Sequence, residues 1–137
     1  MPYPAHTHEV LIREQHLDAY GHVNNAAYMV LFEEARWEWI TPHGFGAERV
    51  QEIQYGPVLL EATIRFKREI KLREKIRVTT ALEKQKGLLS YIHQEMVKED
   101  GEVGAEGTFV VGLFDLKARK LITPTPEWKK ALGLGND

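Results

Sequence analysis

The chain carries one long helical pattern followed by a run of alternating segments. Between about Asn25 and Ile40, the residues Tyr28, Leu31, Phe32, Ala35 and Trp39 recur at helical spacing and form a single apolar stripe. Glu34 and Glu38 fall on the outer side, and Glu33 and Arg36 are spaced to pair across one turn. Ala26, Ala27 and Ala35 are small enough to let a sheet wrap closely around this helix. Pro42, Gly44 and Gly46 supply its stop signals. Upstream, Glu9 to Glu14 reads as a first strand with Val10 and Ile12 on one face. Thr41 to Gly56 reads as a looser connection that shapes a pocket entrance.

From Pro57 the period becomes two. Ala62, Ile64 and Phe66 share the face expected to be buried, while Glu61, Thr63, Arg65 and Lys67 share the wet one. Further strands are predicted over Lys75 to Lys84, Leu88 to Lys98 and Val103 to Phe114. Lys86-Gly87 and Asp100-Gly101 are the turns between them. Ala105, Phe109, Val111 and Leu113 share one face of the last strand. Its Gly104, Gly107 and Gly112 call for a bend or a close backbone approach. The tail from Glu127 to Leu132 reads as a short helical segment. One long helix and about five strands make an α+β layer, with the helix against an antiparallel sheet.

Composition narrows the possibilities. A chain of 137 residues fits a single domain spanning 1–137, long enough to bury a core without staples. The absence of cysteine removes disulfides, thiolate metal sites and a cysteine nucleophile, and is compatible with a cytoplasmic location. With 18 basic and 20 acidic residues, the balance does not point to nucleic acid or an anionic membrane surface as partner. Met1 to His6 lacks the charge and apolar core of a signal peptide. No apolar run approaches the roughly 20 residues that span a bilayer. His6 and His8 share a side of an extended segment and could ligate a metal. Solvated histidines are the simpler reading, and no metal is expected.

The stretch from His16 to Tyr28 holds the candidate chemistry. Asp18 lies in a loop that ends at a helix start, where backbone N–H groups and the helix dipole are free to polarise a carbonyl. The plainer alternative makes Asp18 and Asn24 turn and cap residues.

The run Asp18-Ala19-Tyr20-Gly21-His22-Val23-Asn24-Asn25, followed by Tyr28, resembles the signature of the 4-hydroxybenzoyl-CoA thioesterase-like hotdog family. Phe32-Glu33-Glu34-Ala35-Arg36-Trp37 is similar to its bacterial long-chain acyl-CoA thioesterase (thioesterase III) branch. Arg65-Phe66-Lys67-Arg68 and Thr123-Pro124-Thr125-Pro126 also fit, so the likeness runs from about His8 to Trp128. It implies a hotdog fold, an antiparallel sheet of about five strands wrapped around one long central helix. It implies hydrolysis of medium- to long-chain or aryl acyl-CoA. It also implies Asp18 as the catalytic carboxylate, the Asn25 main-chain N–H as oxyanion donor, and a homodimer or homotetramer with sites at the interface. Coenzyme A enters as part of the substrate, and no cofactor is needed.

Thioester hydrolysis asks for a polarised carbonyl, a carboxylate to attack it or activate water, and a thiolate leaving group. A thiol with a pKa of about 8.5 leaves tolerably near neutral pH. Asp18 can act as nucleophile or as general base. His22 reads as a loop-ordering residue rather than a base. Asn24 can hold water or the thioester, or cap the helix. Tyr28 falls on the core stripe, where its hydroxyl needs a partner. The coenzyme A phosphates call for cations, with Arg65, Lys67, Arg68, Lys84 and Lys86 as candidates. Phe66, Leu60 and Met29 are candidates for an acyl slot. Three other readings use the same sequence: hydrolysis of acyl carrier protein thioesters, acyl-CoA binding without turnover, and dehydration of a hydroxyacyl thioester, for which a histidine and a distant acid would be expected in place of the Asp motif.

Overall fold

The computed structural model describes residues 3–134. Helix α1 (Asn25–Ile40) has the predicted extent, and Tyr28, Leu31, Phe32, Ala35, Trp39 and Ile40 are its buried residues. It starts where Asn24 turns the chain from extended to helical. The Asn24 side-chain oxygen accepts the Ala26 N–H at 2.8 Å, a cap worth about 1 kcal/mol.

Six strands form one antiparallel sheet. They are β1 (His6–Leu11), β2 (Tyr55–Phe66), β3 (Lys75–Lys86), β4 (Leu89–Val97), β5 (Val103–Asp115) and β6 (Lys120–Ile122). The order is β1-β3-β4-β5-β2, and short β6 pairs with the end of β5. Ile76, Val78, Ile92, Met96, Ala105, Phe109, Val111 and Leu113 turn inward onto the α1 stripe and make one core. A sheet curled around one central helix is the hotdog arrangement. The glycines of β5 serve close approach. A Cβ on Gly107 would meet the Phe109 ring at 2.6 Å, and one on Gly112 would meet Leu121 at 2.6 Å.

The structure corrects the sequence reading in three places. The first strand is His6–Leu11 rather than Glu9 to Glu14. Its register follows β3, while beyond Ile12 the chain coils into a 3-10 turn, Glu14–His16, in which the Arg13 N–H donates to His16 Nδ1. The connection after α1 is not loose. It holds a 3-10 turn, Thr41–His43, and helix α2 (Ala47–Ile53). Between them, Phe45 is fully buried and packs edge-on against Trp128 of α3 (Pro126–Ala131). Arg49 of α2 then clasps Glu127 of α3 at 2.7 Å. The short polar segment had too few residues to show a helical period.

The third correction concerns β2. Its expected buried face is largely open: Ala62 is exposed, Ile64 half-buried and Phe66 56 % exposed. The cause is position. β2 is the last strand of the sheet and has β5 on one side only. Alternation along a strand reports two faces, but only a covered face is dry.

Candidate active site

The Asp18 loop is closed on itself. Leu17 and Val23 form a β-bridge, and the Asp18 N–H donates to the His22 carbonyl at 3.0 Å. Asp18 Oδ1 accepts the Tyr20 N–H at 2.8 Å and lies 3.4 Å from the His22 amide. Gly21 takes φ +86°, a left-handed conformation that a side chain would strain. Asp18 Oδ2 faces His22 Nδ1 at 3.3 Å, and the Asp18 side chain is 16 % exposed. One carboxylate oxygen therefore shapes the turn, and the other lies beside an imidazole. The loop is pinned to the segment ahead of β3 by Val23 N–H donating to Ile70 O and by a His22–Lys71 bridge.

The first turn of α1 has its donors nearly all placed. The Ala26 N–H goes to the Asn24 side chain, and those of Ala27 and Tyr28 go to the Asn24 carbonyl. The Asn25 N–H has no acceptor among the described residues. It sits at the positive end of the helix dipole, where an oxyanion is stabilised. Tyr28 is buried against the Phe66 ring at 4.9 Å. Burial, followed by the Glu74 and Asp18 carboxylates, raises its phenol above the usual range, so Tyr28 lies within the field of Asp18.

The profile of the thioesterase-like superfamily matches residues 12–132. The chain belongs to that superfamily. It is 28 % identical over 134 residues to the long-chain acyl-CoA thioesterase FadM of Escherichia coli K12, covering 90 % of this chain and 94 % of FadM. Among solved structures, a DHNA-CoA thioesterase from Staphylococcus aureus superposes with a TM-score of 0.84 at 25 % identity, over 93 % of this chain and 87 % of that one. A second S. aureus protein, solved in complex with CoA, gives 0.89 at 16 % identity over 99 % and 86 %. This thioesterase-like chain is thus a member of a family of thioester hydrolases with a hotdog fold.

Its other candidate residues are scattered. Arg65 and Lys67 alternate with Phe66 and so point away from Tyr28. Lys67 is paired with Glu106 at 3.1 Å, a contact that lowers the Glu106 pKa. Arg68 lies 3.4 Å from Glu102. Lys84 stacks over the Tyr91 ring. Lys86 pairs with Leu89, which lies across from Gly112 and then Val58. That row is eight residues from Phe66 along β2, about 26 Å at the rise of a strand. Lys86 is therefore at the far end of the sheet from Asp18. Lys71 bridges His22 through its backbone, while its ammonium pairs with Glu69 at 3.3 Å.

His93, Glu95 and Glu106 bring three donor atoms within 4.8 Å on the outer sheet face. Lys67 holds Glu106 at 3.1 Å and His93 lies 3.5 Å from Glu95, so ion pairing accounts for the cluster. His8 reaches Glu34 of α1 at 3.1 Å. Among the described residues, no helix is long and apolar enough to cross a membrane.

Arg36 differs from its expected role. It forms no ion pair with Glu33. Its Nη1 donates to Gln94 Oε1 at 3.0 Å, and its guanidinium lies 4.5 Å from the Phe109 ring centroid. Gln94 is fully buried and donates to the Phe32 carbonyl and to Thr80 Oγ1. Burial brings the Arg36 pKa down to about 10, with Glu33 opposing. The guanidinium lines an apolar slot between α1, β2 and α3. The signal was present in the sequence: Arg36 falls one turn after Phe32, at the edge of the buried stripe.

Proposed function

We propose that this chain hydrolyses acyl-CoA thioesters, with Asp18 as the reacting carboxylate and the Asn25 N–H as the oxyanion donor. The observations that support this are a sheltered Asp18 carboxylate in the closed loop that leads into α1, and an Asn25 N–H at the start of that helix that lacks an acceptor among the described residues. The thioester carbonyl oxygen accepts that N–H, and the α1 dipole supports the charge that develops on it. Asp18 Oδ2 then attacks the carbonyl carbon, expelling the thiolate and leaving an anhydride for water to cleave. In the alternative route it takes a proton from the attacking water. His22 and Asn24 hold the loop and helix start in register. Tyr28 and Phe66 line the approach. FadM is a long-chain acyl-CoA thioesterase and the S. aureus relative acts on DHNA-CoA, so medium- to long-chain and aryl groups are the acyl classes to assay. Thiol release from a ladder of acyl-CoAs should show turnover with an optimum in one of these classes. No release from any CoA ester would overturn the reading.

We propose further that the working unit is a homodimer joined along β2, with pairing of dimers giving a tetramer. β2 is a 12-residue edge strand, and Leu59, Leu60 and Phe66 on it are 41 %, 44 % and 56 % exposed. A long apolar edge left open is a template for another strand, and a second copy around a two-fold axis covers it. Sedimentation equilibrium should give at least twice the chain mass. A monomer at micromolar concentration would rule the arrangement out.

A further inference from the structure

The open edge of β2 carries two charges that its own chain does not answer. Glu61 and Arg65 are exposed, stand on the outer sheet face on either side of Thr63, and form no ion pair among the described residues. Glu61 faces the apolar Val110 on β5. Arg65 faces Glu106, but that carboxylate is held by Lys67 at 3.1 Å. The opposite charges are placed symmetrically about Thr63, so the segment is complementary to a reversed copy of itself. Such self-complementarity is what a two-fold interface requires.

The backbone of the same segment limits how a second strand can add. The Lys67 N–H donates to the Gly104 carbonyl at 2.9 Å, in step with the Phe66–Ala105 pair. In an antiparallel ladder such bonds recur at every second residue, so Arg65, Thr63 and Glu61 aim their N–H and C=O groups at β5. A Cβ on Gly107 would lie 3.3 Å from the Thr63 carbonyl oxygen, in agreement with that phase. Ala62, Ile64 and Phe66 therefore aim theirs at the open edge.

Side chains alternate between faces, so a two-fold axis that keeps both outer faces on one side must pass through a residue position. An axis at Glu61 or Arg65 sets like charges opposite each other, which is destabilising. At Ala62 it sets Glu61 against the partner's Thr63 and Arg65 against the partner's Leu59, and answers neither charge. At Ile64 it sets Glu61 against the partner's Lys67, which Glu106 already holds, and leaves Arg65 against the partner's Thr63. An axis at Thr63 sets Glu61 against the partner's Arg65 twice over. It also lets Ala62 exchange backbone bonds with the partner's Ile64, and brings the partner's Leu60 toward Phe66.

We infer that two copies of this chain join along β2 about an axis at Thr63, with Glu61 of each paired to the partner's Arg65. The inference rests on the β2 homodimer proposed above and fixes its register. Arg65 then serves the interface rather than the phosphates of coenzyme A. Phe66 meets Tyr28 near Asp18, so the partner's Leu60 completes the apolar approach to the site.

The test mixes two variants of the full chain. Glu61→Arg leaves cations at both positions, and Arg65→Glu leaves anions at both. Each variant alone meets two like-charge contacts, and its dimer dissociation constant should rise by about 10-fold or more at low salt. Mixed in equal amounts, the variants regain two complementary contacts. Native mass spectrometry should then find about nine-tenths of the dimers mixed, against about half for indifferent pairing, as a 10-fold penalty on each like-charged dimer requires.

A mixed fraction near one half overturns the register, and so do variants that dimerise as tightly as wild type or stay monomeric when mixed. Selective pairing of Glu61→Arg with Lys67→Glu instead puts the axis at Ile64 and overturns it as well. Failure of the dimer itself is read separately and first: wild type that sediments as a monomer at micromolar concentration has no β2 interface, whereas a dimeric wild type with indifferent variants has one in another register.

Discussion

Asp18→Asn should lower kcat on the best acyl-CoA by about 10²- to 10⁴-fold, the usual range for removing a positioned base or nucleophile. The substitution separates the two roles of this side chain. Asn keeps an acceptor oxygen for the Tyr20 N–H, which Asp18 Oδ1 binds at 2.8 Å, so the turn is retained. It removes the charge and nucleophilicity of Oδ2, the atom that faces His22 at 3.3 Å. The thermal midpoint should therefore stay close to wild type while turnover collapses. Asp18→Ala, which also releases the loop amides, should add a stability loss of about 1 kcal/mol to the same kinetic defect. Thiol release and a thermal melt on the same preparations read both quantities. Asp18→Asn turning over within a factor of about three of wild type, on the scale where a positioned base contributes hundreds-fold, would leave Asp18 as a turn residue only.

The helix was the most legible element. Its stripe from Tyr28 to Trp39 is long enough to fix a 3.6-residue period, and Asn24 marks its start by its own cap chemistry. The strands were legible as strands because alternation needs only a few residues. What alternation cannot report is which neighbours a strand has. The pattern of Ala62, Ile64 and Phe66 predicts a dry face, because an edge strand and a central strand alternate alike until a partner is counted. The α2 segment is illegible for the opposite reason: seven residues, about half of them polar, carry less than two full periods. At the site, the order of Asp18, Asn24 and Asn25 along the chain placed the loop against the helix start. The placement of the cations is not legible in the sequence, because cross-strand register puts Lys86 in the row of Leu89, Gly112 and Val58, at the far end of the sheet from Phe66. The i, i+3 spacing of Glu33 and Arg36 suggests a pair along the helix, whereas the half-buried Arg36 turns to Gln94, more than fifty residues away on β4, which offers the acceptor.

Phe109→Ala should be among the most destabilising single changes in the chain, at about 3–5 kcal/mol. Phe109 is fully buried on β5. Its ring meets Phe32 of α1 at 5.2 Å between centroids, and it underlies the Arg36 guanidinium at 4.5 Å. It also folds back over Gly107, so that even a Cβ there would lie 2.6 Å from the ring. Truncation removes the ring from between a helix and a strand that are each fixed by their own hydrogen bonds, so the space cannot close. A second loss follows, because Arg36 then retains the Gln94 contact but not the aromatic face that offsets part of its desolvation, worth up to about 2 kcal/mol for a desolvated cation–π pair. Against a total stability of roughly 5–15 kcal/mol, the loss is a large fraction. The urea midpoint should fall sharply with little change in slope. A drop of less than about 1 kcal/mol would mean that the core closes over the gap. The two losses can be told apart with Arg36→Met in the same cycle. If the ring stabilises the buried cation, the Phe109→Ala and Arg36→Met effects should couple by about 0.5 kcal/mol or more, with the double variant losing less than the sum of the singles. Additive effects would confine Phe109 to packing alone.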